Sequence, residues 1–188
     1  MNNKISIFTS YPIPNGHSWT IVTKLGRILE VAESMYGERD KSFTILGVEI
    51  NQLDYPQIWF PSGMNNIVIQ LTSDCLYDMN RAVYQLSHEV IHCLNPVLGQ
   101  KTNYLEEGIA THFSLEYTQT KGYGNFEVSN PEYLKALKLI EELFEIDPKI
   151  ISKLKKIKEN FISVEKDDFL KINSNIPELL ADKLARKF

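Results

Sequence analysis

The sequence predicts an α+β protein in which a small mixed β-sheet precedes a largely helical part. Strand-like runs rich in β-branched residues lie before residue 76, and all but one of the long stretches with helical spacing follow it. The chain has 188 residues, of which 43% are hydrophobic and 23% charged, as in an ordinary globular domain. We therefore predict a single domain over residues 1–188, with a sheet-rich part (1–76), a pair of helices (77–118) and a helical remainder (119–188).

The first half is expected to contain four strands and one helix. Residues Lys4–Ser10 alternate in polarity and predict a short strand that ends before two prolines. Apolar residues recur at helical spacing from Trp19 to Tyr36, and Gly37 follows as a helix stop. The remaining predicted strands, separated by Pro56, Pro61 and Gly63, are Phe43–Ile50, Gln57–Phe60 and Asn66–Leu71.

The second half is expected to be helical. Prolines and glycines divide it into segments with apolar residues at helical spacing. The predicted helices are Asp78–Leu94, Tyr104–Tyr117, Pro131–Phe144, Asp147–Asn160 and Pro177–Lys187.

The charge and the composition of the chain limit the classes of partner that we expect it to bind. The chain has 20 Lys and Arg against 24 Asp and Glu, whereas nucleic-acid-binding domains are more often basic. Two cysteines, Cys75 and Cys93, are too few for a disulfide scaffold, and no apolar run has the length of a signal peptide core or a membrane span. We expect a cytoplasmic protein without nucleic-acid or membrane partners, and the sequence leaves its oligomeric state open.

The segment His88–His92 reads HExxH, the pattern of a metal-binding helix. Two imidazoles at positions i and i+4 lie on one face of a helix, where they can bind one Zn²⁺, and Glu89 can then reach a water on that ion. From the composition of this chain, chance would produce the pattern with a probability of roughly 0.007.

The rest of that helix supports this interpretation. On a helical wheel the apolar residues fall within an arc of about 120°, which predicts a core-facing stripe. They are Met79, Ala82, Val83, Leu86, Val90, Cys93 and Leu94. His88 and His92 fall on the opposite side, which argues against a pair of core histidines and leaves ordinary surface histidines as the alternative.

A third ligand is expected from the next helix, because catalytic zinc usually has three protein ligands. Asn103 suits the N-cap, which gives Glu106 the structural position of a capping box. Glu107 points elsewhere and is the candidate ligand, the alternative being a first-turn acid that favours the helix dipole. Gly108 and Ala110 are small, and we expect them to let this helix approach the metal helix closely.

HExxH followed by a helix that reads E-G-x-A, over about residues 85–113, resembles the gluzincins, a family of zinc peptidases that includes thermolysin. The resemblance implies a zincin-like fold and Zn²⁺ bound by His88, His92 and Glu107. It also implies that Glu89 is the general base, which takes a proton from the water and passes it to the leaving amine. Thermolysin has an acid four residues after its third ligand, where this chain has Thr111.

Gluzincins also use a Tyr or His to stabilise the oxyanion. The candidates in this chain are His112, Tyr117, Tyr123 and Tyr133. We predict Tyr123, because two flanking glycines place it in a loop.

An edge strand would pair with the substrate backbone. Either Ile67–Leu71 or Gln57–Phe60 could be that strand, and an interior position for Ile67–Leu71 is the alternative.

The function expected from these residues is that of a zinc-dependent metallopeptidase acting on a peptide or protein substrate. One alternative is a zinc hydrolase of a non-peptide amide bond. Peptide deformylases combine HExxH with an upstream cysteine ligand, for which Cys75 is the candidate here. The other alternative is a binding or regulatory protein in which the metal is structural.

Overall fold

The computed structural model describes residues 4–61 and 65–188, which form seven α-helices, a two-stranded sheet and a three-stranded sheet. This confirms the predicted mixture of helix and sheet. Parts of the predicted sheet-rich region, residues 1–3 and 62–64 with the break at Gly63, lie outside the described residues. Within the described part, no helix has the length and apolar character that crossing a bilayer requires.

The prediction of a strand at Lys4–Ser10 is wrong. Strand β1 (Pro12–Ile13) instead pairs antiparallel with β2 (Gly16–His17) in a short hairpin. Residues 4–10 have no strand neighbour. Their one buried apolar residue, Ile7, bonds through its N–H to the Leu76 carbonyl at 3.0 Å and through its carbonyl to the Ile21 N–H at 2.9 Å. The alternating polarity of this segment therefore reflects the burial of Ile7 alone and not a strand.

The three other predicted strands form one sheet, with nearly the predicted bounds. They are β3 (Thr44–Ile50), β4 (Gln57–Trp59) and β5 (Asn66–Leu71). β5 lies in the centre, parallel to β3 and antiparallel to β4. The interior position for Ile67–Leu71 is therefore correct. β3 and β4 are the two edge strands of the described sheet, so that β4 is the candidate strand with a free edge.

The first four helices begin at side-chain caps, whereas the fifth and the seventh have none. The helices are α1 (Ile21–Tyr36), α2 (Met79–His92), α3 (Tyr104–Thr120), α4 (Pro131–Ile146), α5 (Ile150–Ile157), α6 (Lys166–Ile172) and α7 (Glu178–Ala185). Side chains of Thr20, Asp78, Asn103 and Asn130 accept N–H groups of the first turns of α1 to α4. α6 was not predicted, although Glu165 and Asp168 form a capping box at its start. The helix predicted over Asp147–Asn160 corresponds to α5, which begins at Ile150 and ends at Ile157.

α2 is the central helix. It packs between α1, β5 and α3, and the predicted stripe is buried, with Met79 half-buried at its end. Burial also extends beyond the stripe, since Ser87, Glu89, Ile91 and His92 are buried as well. The face with the HExxH residues is therefore turned towards the interior, against α3.

Gly108 allows a close helix contact, but the partner helix differs from the expected one. A Cβ added to Gly108 would lie 2.7 Å from the backbone oxygen of Ala136 and 3.1 Å from the Cβ of Ile140, both on α4. One residue corresponds to about 100° of helix rotation, so Gly108 faces away from the direction of Glu107. The glycine thus brings α4, rather than α2, close to α3.

We predict that Gly108→Ala lowers the free energy of unfolding by about 1–3 kcal/mol, because the α4 backbone cannot yield to the added methyl group. Gly26→Ala on the exposed side of α1 is the matched control, because an added Cβ there meets nothing within 4 Å. That variant should gain about 0.4–1 kcal/mol. Urea unfolding of both variants measures the difference, and equal effects would contradict the close contact.

Candidate metal centre

The structure brings the three predicted metal ligands together. His88 and His92 lie in the second half of α2, Glu107 lies in the first turn of α3, and one ligand atom from each lies within 4.8 Å of the others. The Nε2 atom of His88 is 3.2 Å from Oε2 of Glu107, and Nε2 of His92 is 3.7 Å from Oε1. Two donors bound tetrahedrally to one zinc ion are about 3.4 Å apart, so these distances suit a shared ion.

The start of α3 sets the position of Glu107. The Asn103 side chain is fully buried, accepts the Glu106 N–H at 2.9 Å and donates to the Phe161 carbonyl at 2.9 Å. The cap predicted at Asn103 is therefore confirmed. Because it ties the first turn of α3 to the chain near Phe161, Glu107 cannot rotate freely about the axis of its helix.

Glu106 has a role that the sequence did not reveal. Its side chain does not complete a capping box, and its Oε1 atom lies 2.9 Å from Nδ1 of His92. A proton on Nδ1 donates to this carboxylate, which leaves the Nε2 lone pair directed at Glu107 and at the position of a metal. Glu106 therefore orients the imidazole of His92, one of the candidate ligands.

The electrostatics of this cluster favour a bound cation. Burial alone would raise the pKa of the Glu107 carboxyl, but His92, His88 and the Thr102 side chain hold that pKa at about 2. Burial opposes protonation of His92, yet Glu107 and Glu106 raise its pKa to about 10. A metal ion that binds at Nε2 would displace this proton and provide the positive charge in its place. Both shifts have one cause: buried carboxylates that need positive charge beside them.

A buried carboxylate oxygen without a hydrogen bond also indicates that the cluster suits a cation. Oε2 of Glu107 is buried and has no hydrogen-bond partner among the described residues. It lies 3.2 Å from Nε2 of His88. When that nitrogen carries no proton, both atoms are lone-pair donors, which suits a divalent metal. The residues present therefore fit a metal ion, and zinc is the ion that such a set commonly holds.

Two cavities meet at this cluster. The first, of about 440 Å³, is lined by β4, by the chain from Val97 to Thr102 and by the three ligands. The second, of about 330 Å³, lies beside it and shares Pro56, His88, Glu89 and Tyr133 with the first. The cluster is therefore accessible from both sides.

Glu89, the predicted general base, is buried next to the cluster. It is only 4% exposed, and it lines both cavities. Burial raises the pKa of the Glu89 carboxyl above its usual value, against the opposing effect of His92 and His88. A raised pKa makes a carboxylate a stronger base.

The structure does not bring Tyr123 to the cluster. Its hydroxyl is bonded by the Lys24 ammonium at 2.6 Å, and it lines neither cavity. Tyr133 on α4 lines both, with its ring 5.7 Å from that of His88 and 4.9 Å from that of Phe188. No local spacing distinguishes Tyr133, because its place follows from the packing of α4 on α3.

The other candidates lie elsewhere. The ring of His112 packs 4.9 Å from Phe144, and that of Tyr117 lies 5.7 Å from Phe113. Cys75 is fully buried beside Thr72, away from the cluster, and burial raises the pKa of its thiol to about 11. The upstream cysteine is therefore not a ligand in this geometry.

No protein-family model, curated protein or solved structure matches this chain. The resemblance to gluzincins therefore depends on HExxH, on the E-G-x-A helix and on the geometry just described.

We predict that Glu106→Ala weakens zinc binding by about 10–100-fold, because His92 loses the carboxylate that orients it. Glu107→Ala should weaken it further, since it removes a ligand. Competition with a chromophoric chelator measures both affinities, with Glu145→Ala, an exposed change on α4, as the control. Unchanged affinity in Glu106→Ala would contradict the orienting role.

Proposed function

We propose that the protein is a zinc-dependent metallopeptidase that hydrolyses peptide bonds as gluzincins do. The observation that carries the proposal is the meeting of His88, His92 and Glu107 beside the buried Glu89, between two cavities. Three protein ligands leave one position of a tetrahedral ion open, which is typical of catalytic zinc. A structural site usually has four protein ligands, and the cluster found among the described residues has three.

Glu89 is the proton carrier in this proposal. Bound zinc would polarise the scissile carbonyl and lower the pKa of a water molecule towards ~7. Glu89 takes one proton from that water as its oxygen bonds to the carbonyl carbon. The same carboxyl then protonates the amine nitrogen as the C–N bond breaks, which returns Glu89 to its starting state.

Tyr133 is the donor that we assign to the developing oxyanion, in place of Tyr123. Burial, together with Glu107 and Glu89, raises the pKa of Tyr133 well above its usual value, so that its hydroxyl keeps its proton. The rings of His88 and Phe188 on either side restrict its motion. A fixed neutral donor is what stabilises an oxyanion at little reorganisation cost.

β4 is the strand that we expect to hold the substrate backbone. It pairs with β5 on one side only, and its residues line the first cavity. The Gln57 side chain donates to Gln70 of β5 at 2.6 Å, and the Trp59 indole donates to Glu49 of β3 at 3.0 Å. These hydrogen bonds to the other two strands hold β4 in place. An extended peptide can add to such an edge by backbone hydrogen bonds.

We predict that the zinc-loaded protein cleaves members of a peptide library, that chelation abolishes cleavage and that added zinc restores it. Glu89→Gln should retain one zinc per chain and lower kcat by about 10²–10⁴-fold, because the proton carrier is lost. Glu145→Gln should behave as wild type. If the wild type binds zinc tightly and cleaves no peptide, the peptidase proposal fails, and a structural metal or a non-peptide amide substrate takes its place.

We predict that Tyr133→Phe lowers kcat by about 10²–10³-fold through loss of the oxyanion donor, with zinc content and KM unchanged. Tyr123→Phe is the matched comparison and should retain the wild-type kcat. Steady-state kinetics on one cleaved peptide separates the two residues, and the opposite result would return the role to Tyr123.

A further inference from the structure

The second cavity has the composition of a side-chain subsite. Because it shares His88, Glu89 and Tyr133 with the first cavity, a peptide lying across the cluster places one side chain next to the scissile bond in it. Aromatic and apolar groups form much of its wall, including Tyr55, Tyr84 and Val128. The Tyr84 ring is stacked on Phe126 at 4.4 Å, which holds it as a flat surface.

The charged groups around this cavity are all acidic. Asp54 and Glu127 are exposed at its edge, and neither forms a salt bridge with another described residue. Among the described residues that line the cavity there is no lysine or arginine. An anionic side chain would therefore meet repulsion here, and a cationic one would find two free carboxylates.

A buried hydroxyl provides an independent indication of a ligand. Thr111 lines the same cavity and is 2% exposed, and its Oγ1 atom has no hydrogen-bond partner among the described residues. Buried hydroxyls without a partner are rare because they lose the hydrogen bonds of water. Thr111 lies one turn after Glu107 on α3, so its hydroxyl faces the space beside the metal ligands.

We propose that the second cavity is a subsite for a lysine or arginine side chain adjacent to the scissile bond. This proposal rests on the peptidase function and names its substrate class. The aliphatic stem of such a side chain packs on Tyr55 and Tyr84, and its cationic group, which has only hydrogen-bond donors, matches the acceptors that line the cavity. A purely apolar side chain would fill the walls but leave Thr111, Asp54 and Glu127 unpaired.

The first experiment is a position-scanning peptide library with the zinc-loaded wild type. We expect Lys and Arg to be enriched at one of the two positions that flank the cleaved bond, and Asp and Glu to be disfavoured there. The double variant Asp54→Asn/Glu127→Gln should lower kcat/KM for a lysine peptide about tenfold, as two exposed ion pairs allow, and leave the norleucine analogue unchanged. Asp167→Asn/Glu145→Gln makes the same charge change at exposed positions outside the cavity and should alter neither.

A binding measurement separates this inference from the proposed function. Fluorescence anisotropy of labelled lysine and norleucine peptides on zinc-loaded Glu89→Gln reports the subsite without turnover. Cleavage with no basic preference at either flanking position overturns the subsite and leaves the peptidase intact. Lysine-dependent binding that the double variant removes, in a protein that cleaves nothing, supports the subsite and overturns the peptidase. Absence of both overturns both.

Discussion

The contact between α2 and α3 is the constraint on which the rest of the site depends. It buries Glu89, Glu106 and Glu107 beside two imidazoles, and carboxylates removed from water are unstable unless positive charge compensates them. His92 lies between Glu106 and Glu107, so that its two ring nitrogens face two carboxylates. Helix packing thus sets the positions of the candidate ligands and creates the need for positive charge beside the carboxylates.

The features that the sequence predicted correctly depend on neighbours within one helical turn. HExxH is an i, i+4 relation, and the predicted cap at Asn103 acts on an N–H group three residues away. The three strands of the main sheet were recognisable because each has β-prone residues between turn residues. None of these features requires knowledge of which elements pack together.

The features that were missed all depend on such packing. For Glu106, a capping box and a contact with His92 are equally compatible with its position in the first turn, and only the placement of α2 decides between them. Gly108 indicates that another helix packs closely on α3, but the sequence does not indicate which helix, and in the structure it is α4. Tyr133 reaches the cluster only because α4 crosses α3 there, whereas Tyr123, which looked better placed in its loop, is bonded by Lys24 on α1.

The residues of the site differ in how firmly the fold holds them. Glu107 and Thr111 lie on one rigid helix, so the third metal ligand and the floor of the second cavity move together. Asp54 and Glu127 lie in connecting segments, where a change of side chain disturbs no buried contact. The proposed preference for a cationic side chain is therefore separable from the proposed metal centre: substitution of the exposed carboxylates leaves the candidate ligands unaltered, whereas a change at Thr111 acts beside them.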